Sequence, residues 1–315
     1  MKHAKTIFLG VALSVAVIAA CALVFAQGAP NPFLGRWDFN IPTANGDNSA
    51  AWLAVYNSHG PNEVWYQPTG GNVILVHDFK IDGSHISLTV APATANRPAT
   101  TWELDAADGK LAGSQVHGDQ KTPLSGTAAP AIDRPAPKSW SKPEPLLNGK
   151  DLTGWEPFGD VAHNNWSVKE GGILFNSAHG ANLRTTRKFD DFKVHFEVNC
   201  PDGGNSGFYL RGRYEMQVDY EADPPERSIG AIYGRIAPVP TPARTPGQWE
   251  SFDITLIGRT VSEWHNGTQE INQREIEGIT GGAIDANEGE PGPFYIQGDH
   301  TGGLQFRNIT VSVPK

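Results

Sequence analysis

Between Gly204 and Tyr220 the chain changes character at every residue. Phe208, Leu210, Gly212, Tyr214, Met216, Val218 and Tyr220 hold the even positions; Tyr209, Arg211, Arg213, Glu215, Gln217 and Asp219 hold the odd ones. A period of two belongs to an extended strand, whose successive side chains leave on opposite faces. Read as one strand, the stretch has an apolar face and a face of guanidinia, carboxylates and a carboxamide about 6.6–6.8 Å apart. That is roughly the spacing of successive polar groups on a sugar, so the row reads as a binding or catalytic face. The alternative is a solvated, salt-bridged sheet surface.

The rest of the chain must build on strands as well. No 3.6-residue stripe runs through it, and 35 glycines with 24 prolines impose many turns. Residues 31–127 give short, evenly spaced strand candidates at 35–41, 51–56, 63–66, 72–77, 85–90, 101–104 and 110–113, the pattern of a small antiparallel β-barrel or sandwich domain. Trp52, Trp65 and Trp102 read as its core rather than as a sugar platform. Residues 128–145 are rich in Pro and Ala without periodicity, a semi-rigid linker or extended strap. From 146 to 315, candidates at 166–174, 192–199, 208–220, 251–257, 294–297 and 304–313 predict an all-β, two-sheet jelly roll whose last strand returns beside its first.

A basic Met1-Lys2-His3-Ala4-Lys5 start, an apolar run to Phe25 and a small-residue ending read as an export signal over 1–26, placing the protein in the periplasm or outside the cell. Its removal takes away Lys2 and Lys5 and moves the formal charge from −9 to −11. Ile18-Ala19-Ala20-Cys21 also fits a lipoprotein signal, with Cys21 as a lipid anchor, and the apolar run is long enough for an uncleaved membrane anchor. With only Cys21 and Cys200 present, a disulfide within the mature chain is excluded. The negative charge and the lack of a basic patch argue against a nucleic-acid or anionic-membrane partner. No phosphate loop or dinucleotide fingerprint occurs, and Ser206 lacks the strand-turn-helix setting of a nucleophile.

The run 147–155 (LNGKDLTGW), Gly204-Asn205-Ser206-Gly207-Phe208-Tyr209-Leu210-Arg211, Tyr214-Glu215-Met216-Gln217, Gly230-Ala231-Ile232-Tyr233, Pro246-Gly247-Gln248-Trp249, Asn266-Gly267, Gln297 through His300 and Phe306-Arg307-Asn308-Ile309 together resemble the 3-keto-disaccharide hydrolase domain family, over about 145–315. The resemblance implies a concanavalin-like glucanase/lectin jelly roll. It also implies a hydrolase acting on a glycoside that a partner dehydrogenase has first oxidised at C3. Glu250-Ser251 and His265 depart from the family pattern away from the central row.

A C3 ketone acidifies H2, so a base can remove that proton and the aglycone can leave from C1, followed by hydration. The chemistry needs a base, a stabiliser for the enolate and an acid for the leaving oxygen. Glu215, central in the row, is the expected base; Arg211 and Arg213 beside it are the expected enolate stabilisers. His300 is the expected acid or metal ligand. Asn205, Tyr209, Gln217, Tyr233 and Gln297 are the expected hydroxyl binders. No cofactor is assigned, and a divalent metal on Glu215, Asp219, Asp299 and His300 stays open, although no metal-ligand spacing argues for it.

Two other readings stand beside this one. A carbohydrate-binding, lectin-like module needs the fold without the turnover. A conventional glycosidase needs two carboxylates about 5–9.5 Å apart. Glu215 and Asp219 lie about 13 Å apart along a strand, which leaves a partner from a neighbouring strand such as Glu197.

Overall fold

The computed structural model describes residues 31–43, 48–92, 98–221 and 223–315. The export signal and Cys21 lie outside them. Among the described residues nine strands come first: β1 Gly35–Pro42, β2 Asn48–Tyr56, β3 Glu63–Gln67, β4 Ile74–Val76, β5 Asp78–Asp82, β6 His85–Val90, β7 Thr100–Ala107, β8 Lys110–His117 and β9 Gln120–Ala128. They form one antiparallel sheet in the order β4-β3-β2-β1-β9-β8-β7-β6-β5. Its edge strands β4 and β5 are separated by His77 alone, so the sheet curls into a nearly closed barrel. Trp102 is fully buried inside it, edge-on to Phe39 at 4.8 Å and to Tyr66 at 5.0 Å.

Thirteen strands follow: β10 Glu144–Pro145, β11 Trp155–Phe158, β12 Trp166–Lys169, β13 Ile173–Asn176, β14 Asn182–Thr185, β15 Phe192–Asn199, β16 Asn205–Leu210, β17 Tyr214–Asp219, β18 Trp249–Ile257, β19 Thr260–His265, β20 Thr268–Glu275, β21 Tyr295–Ile296 and β22 Gln305–Ser312. One sheet runs β12-β13-β22-β15-β18-β19-β20, with β10 also on β22; the other runs β11-β14-β21-β16-β17. The jelly roll read from the sequence is therefore present, its last strand beside its first. Between the sheets, Phe196 of β15 stacks on Phe208 of β16 at 4.2 Å and on Phe252 of β18 at 5.3 Å.

The 204–220 stretch is not one strand. Arg211 and Gly212 both take positive φ, 53° and 70°, and the Arg213 N–H donates to the Leu210 carbonyl at 3.1 Å. This is a I′-type reversal, and it folds the stretch into the β16–β17 hairpin with Tyr209 opposite Glu215 and Gly207 opposite Gln217. Phe208, Leu210, Tyr214, Met216 and Val218 enter the core between the sheets, while Tyr209, Glu215 and Gln217 leave on the outer face.

That outer face is covered. Residues 276–290 cross it, held from behind by the first sheet. The Trp52 indole donates to the Ile279 carbonyl at 3.0 Å, Tyr56 to Glu277 at 2.8 Å, and Asn40 accepts from the Ala286 N–H at 2.8 Å. Ala50, Trp52 and Ala54 pack on Ile279, Ala283 and Ala286 in an apolar cluster of their own. Residues 128–145 lie along the jelly roll, where Arg259 donates to the Pro130 carbonyl at 2.8 Å and Arg134 pairs with Asp190 and Asp191. Residues 31–315 make one compact unit.

Candidate active site

Over the outer face of the five-stranded sheet opens a cavity of about 270 Å³, lined by Asn205, Glu215, Gln217, Tyr233, Gln297 and His300 together with Asn182, Glu221, Tyr295, Asp299, Gly281 and Gly282. Thr69, Gly70 and Gly71, from the β3–β4 loop of the first sheet, complete the wall. Six of the nine residues expected to act are thus brought together. A larger cavity, about 760 Å³, lies against residues 129–133; there Arg36 pairs with Asp38 and Glu288, Tyr56 donates to Glu277, and Arg259 is held by Glu288 and the Pro130 carbonyl.

The floor of the pocket is built around Glu215. Its Oε2 accepts from the Tyr209 hydroxyl at 2.7 Å, and its Oε1 from the Gln217 amide at 3.3 Å in the amide orientation that satisfies both ends of that side chain. There is no spare room. A methyl group placed at Gly207 would stand 2.5 Å from Oε1, and one at Gly281, whose φ is 53°, 1.8 Å from Oε2. Thr280 accepts from the Glu215 N–H at 2.8 Å, so the loop 280–282 closes on both the backbone and the side chain of this residue. Burial pushes the carboxyl up to about 7, against the lowering effect of the Tyr209 hydrogen bond and of His300.

Tyr209 lies beneath the pocket rather than in it. It is fully buried, stacked on Tyr295 at 3.9 Å, and its oxygen also accepts from the Gly282 N–H at 2.7 Å and from the Gln297 amide at 3.0 Å. A hydroxyl that donates once and accepts twice has nothing left for a ligand. Its expected role as a hydroxyl binder is therefore replaced by that of positioning Glu215. Gln297, by contrast, spends its nitrogen on Tyr209 and leaves a buried Oε1 without a protein partner on the pocket wall. Such an atom is costly unless a donor arrives.

His300 is half exposed and anchored through Nδ1 to Asp299 at 2.8 Å. That hydrogen bond, opposed by burial, lifts its pKa above the ordinary histidine value. Burial pushes Asp299 up, but the hydrogen bond and charge of His300 with the Asn182 amide outweigh it and hold the carboxyl below its usual range. The Tyr233 hydroxyl accepts from Asn72 at 3.3 Å and keeps its own proton free.

Arg211 and Arg213 do not flank Glu215, because the chain reverses at Arg211. Arg211 is fully buried, bonded to Asp190 at 3.3 Å, to the Tyr214 hydroxyl at 3.3 Å and to the Gly258 carbonyl. Arg213 is spent on Asp285 at 2.6 Å and the Glu290 carbonyl at 2.7 Å. Both hold the hairpin tip and the covering loop. Asp219 ends β17 outside the pocket lining, and Glu197 sits on the other sheet, bonded to Arg307 at 2.7 Å and Asn308 at 2.6 Å. Among the described residues no three His, Cys, Asp or Glu side chains gather as a group able to hold a metal ion.

Thr280, Gly281, Gly282, Tyr295 and Asn182 were not singled out from the sequence. The Gly281-Gly282 pair was the available signal, since adjacent glycines mark a close backbone approach. Cys200 is buried, its thiol pushed up to about 12 by burial, consistent with an inert core residue.

Residues 142–312 match the model of the 3-keto-alpha-glucoside-1,2-lyase-like domain. The chain is similar to a 3-keto-disaccharide hydrolase of Bacteroides thetaiotaomicron, at 26% identity over 158 residues that cover 38% of this chain and 54% of that protein. It thus spans about half the length of this curated relative. Two solved structures from Parabacteroides distasonis with provisional glycosyl hydrolase names are also similar. One has 25% identity and a TM-score of 0.47, covering 59% of this chain and 94% of its own; the other has 22% and 0.45, covering 54% and 93%. The matched residues include every pocket residue outside the 69–71 loop, and the chain belongs to the 3-keto-alpha-glucoside-1,2-lyase-like domain family.

Proposed function

We propose that this protein cleaves the glycosidic bond of 3-keto-glycosides by elimination and hydration, with Glu215 as the base. The observation that carries this reading is the buried Glu215 carboxyl, pushed up to about 7 at the floor of a polar pocket. A base of that pKa is half ionised at neutral pH and still strong enough to take a proton next to a ketone. Glu215 removes H2, and the electron pair moves onto the C3 oxygen as an enolate. That oxygen meets the donors left free on the wall, the Tyr233 hydroxyl and the Asn205 amide. His300, whose protonated form Asp299 favours, protonates the leaving oxygen as the C1–O bond breaks. Water then adds at C1 of the unsaturated ketone, giving its second proton to the now neutral His300, and Glu215 returns its proton to C2.

The acceptor on Gln297 supports a saccharide as the ligand, since a sugar hydroxyl supplies the donor it lacks. The ketone must be made beforehand by a dehydrogenase acting on the same sugar. Export through the N-terminal signal, with Cys21 as an alternative lipid anchor, belongs to the same proposal. The test is to incubate the protein, with and without chelator, with a 3-keto-disaccharide and its unoxidised parent in heavy water, following release and deuterium at C2 by mass spectrometry. Release from the keto sugar alone, with enzyme-dependent deuterium at C2, is the expected result. Equal release from the parent would mean a conventional glycosidase; binding without release would mean a lectin-like module.

A further inference from the structure

The β3–β4 loop lies outside the family-matched residues yet walls the pocket, and its construction is specific. Gly70 and Gly71 take φ of 104° and 82°, and the buried Gln67 amide donates to the carbonyls of Pro68 at 3.0 Å and Gly71 at 2.9 Å. The loop is seated on the jelly roll by Asn72, whose amide nitrogen donates to the Tyr233 hydroxyl at 3.3 Å and whose oxygen accepts from Arg227 Nε at 2.6 Å. The fit is close. A methyl group at Gly234 would stand 2.9 Å from the Asn72 side-chain amide.

The strand order fixes which end of the pocket this is. Crossing the sheet, β14 carries Asn182, β21 leads into Gln297, β16 begins with Asn205 and β17 carries Glu215; the segment bearing Tyr233 then bridges β17 at Met216–Ile232. Four strand spacings of about 4.8 Å therefore separate Asn182 from the Tyr233 segment on which Asn72 sits. At the Asn182 end the pocket continues, because Asn182, Gly282 and Asp299 also line a groove of about 580 Å³ with Phe158, Arg184 and Lys188. One end is open and the other carries the 69–71 wall.

We propose that the β3–β4 loop makes the enzyme end-specific, accepting a 3-keto sugar only as the terminal, unsubstituted residue, with the leaving group lying in the Phe158–Arg184 groove. This inference rests on the proposed function. His300, the acid for the leaving oxygen, is tied to Asp299 at the groove end, so C1 points there. C4 lies across the ring from C1 and faces the loop. A substituent on O4 then meets the Gly70-Gly71 backbone, whereas the aglycone has room and an aromatic face, with Phe158 under the Arg184 guanidinium at 5.1 Å.

The test measures binding by calorimetry, using 1,5-anhydroglucitol oxidised at C3, which has no leaving group, and the same compound carrying a glucosyl group on O4. The wild-type protein is expected to bind the second ligand weaker by roughly 100-fold, the upper range for exclusion by pocket shape. Replacing residues 67–73 by Asn-Gly gives Tyr66 and Ile74 a two-residue hairpin and removes the wall. In this variant the two affinities are expected to converge to within about 3-fold. Asn72→Ala, which unseats the loop at unchanged length, guards against misfolding of the first variant and is expected to narrow the gap at least 5-fold. Equal binding by the wild type, or a gap that survives both variants, overturns the inference while leaving the proposed chemistry standing. No binding of either ligand overturns both together.

Discussion

The Trp52 indole on β2 donates to the Ile279 carbonyl at 3.0 Å, one residue before the Thr280-Gly281-Gly282 loop that closes over Glu215. The first sheet thus supports Glu215 in the second part through the back of the covering loop. Trp52→Phe keeps most of the packing and removes the hydrogen bond. It is expected to lower stability by about 1 kcal/mol in a denaturant titration. Looser closure admits water to Glu215, so the acid limb of the kcat/KM profile is expected to move below pH 7, toward the ordinary carboxylate value.

Tyr209→Phe removes the hydroxyl that donates to Glu215 at 2.7 Å. That hydrogen bond favours the carboxylate, so its loss raises the Glu215 pKa further and shifts the acid limb upward from about 7. The same substitution strands the Gly282 N–H and the Gln297 amide, at a cost of about 1–3 kcal/mol in thermal or denaturant unfolding. A merely structural role for Tyr209 would lower stability and leave the pH profile in place.

Asp299→Asn separates the two titrating groups. Asp299 raises His300 through its hydrogen bond and charge, and it also raises Glu215 through its charge. Both pKa values therefore fall in the variant. The alkaline limb, which the proposed mechanism assigns to loss of the His300 proton, is expected to move to lower pH, with the acid limb following by a smaller amount. kcat/KM above neutrality is expected to fall roughly tenfold or more.

Arg211→Gln tests the placement of the hairpin tip. The guanidinium serves Asp190, Tyr214 and the Gly258 carbonyl and has no exposure to the pocket. The expected loss is on the order of 2 kcal/mol in stability from the stranded buried carbonyl. The kcat/KM profile of the folded variant is expected to keep both limbs, whereas an enolate stabiliser would show its loss in kcat.

Alternation along 208–220 was legible, and so was the partition it implies, with Phe208, Met216 and Val218 inside and Glu215 and Gln217 outside. The reversal at Arg211-Gly212 was hidden by its own geometry. Each cross-strand pair of the hairpin joins odd to odd and even to even, so folding back preserves the parity that a single strand would show. Arginine at positive φ is no turn signal, and the glycine after it fell on the apolar parity. In the first part, β9 runs through Pro123, opposite Ser114. β5, Asp78-Phe79-Lys80-Ile81-Asp82, carries too little apolar surface to stand out. The wall made by Thr69, Gly70 and Gly71 could not be read at all, since no local pattern tells a loop which distant strand it will meet.

The covering loop 276–290 has one side on Glu215 and the other on the first sheet, and this ties competence to completeness. In order of synthesis the first sheet is finished before β16 and β17 exist, and the loop that joins them arrives nearly last. A chain stopped between Asp219 and Ile276 already carries Glu215, but without the covering loop that carboxyl is an ordinary acid in water, ionised well below neutrality and a feeble base toward carbon. On the proposed chemistry only the finished molecule turns that carboxyl into a reagent, so a half-made copy is chemically silent.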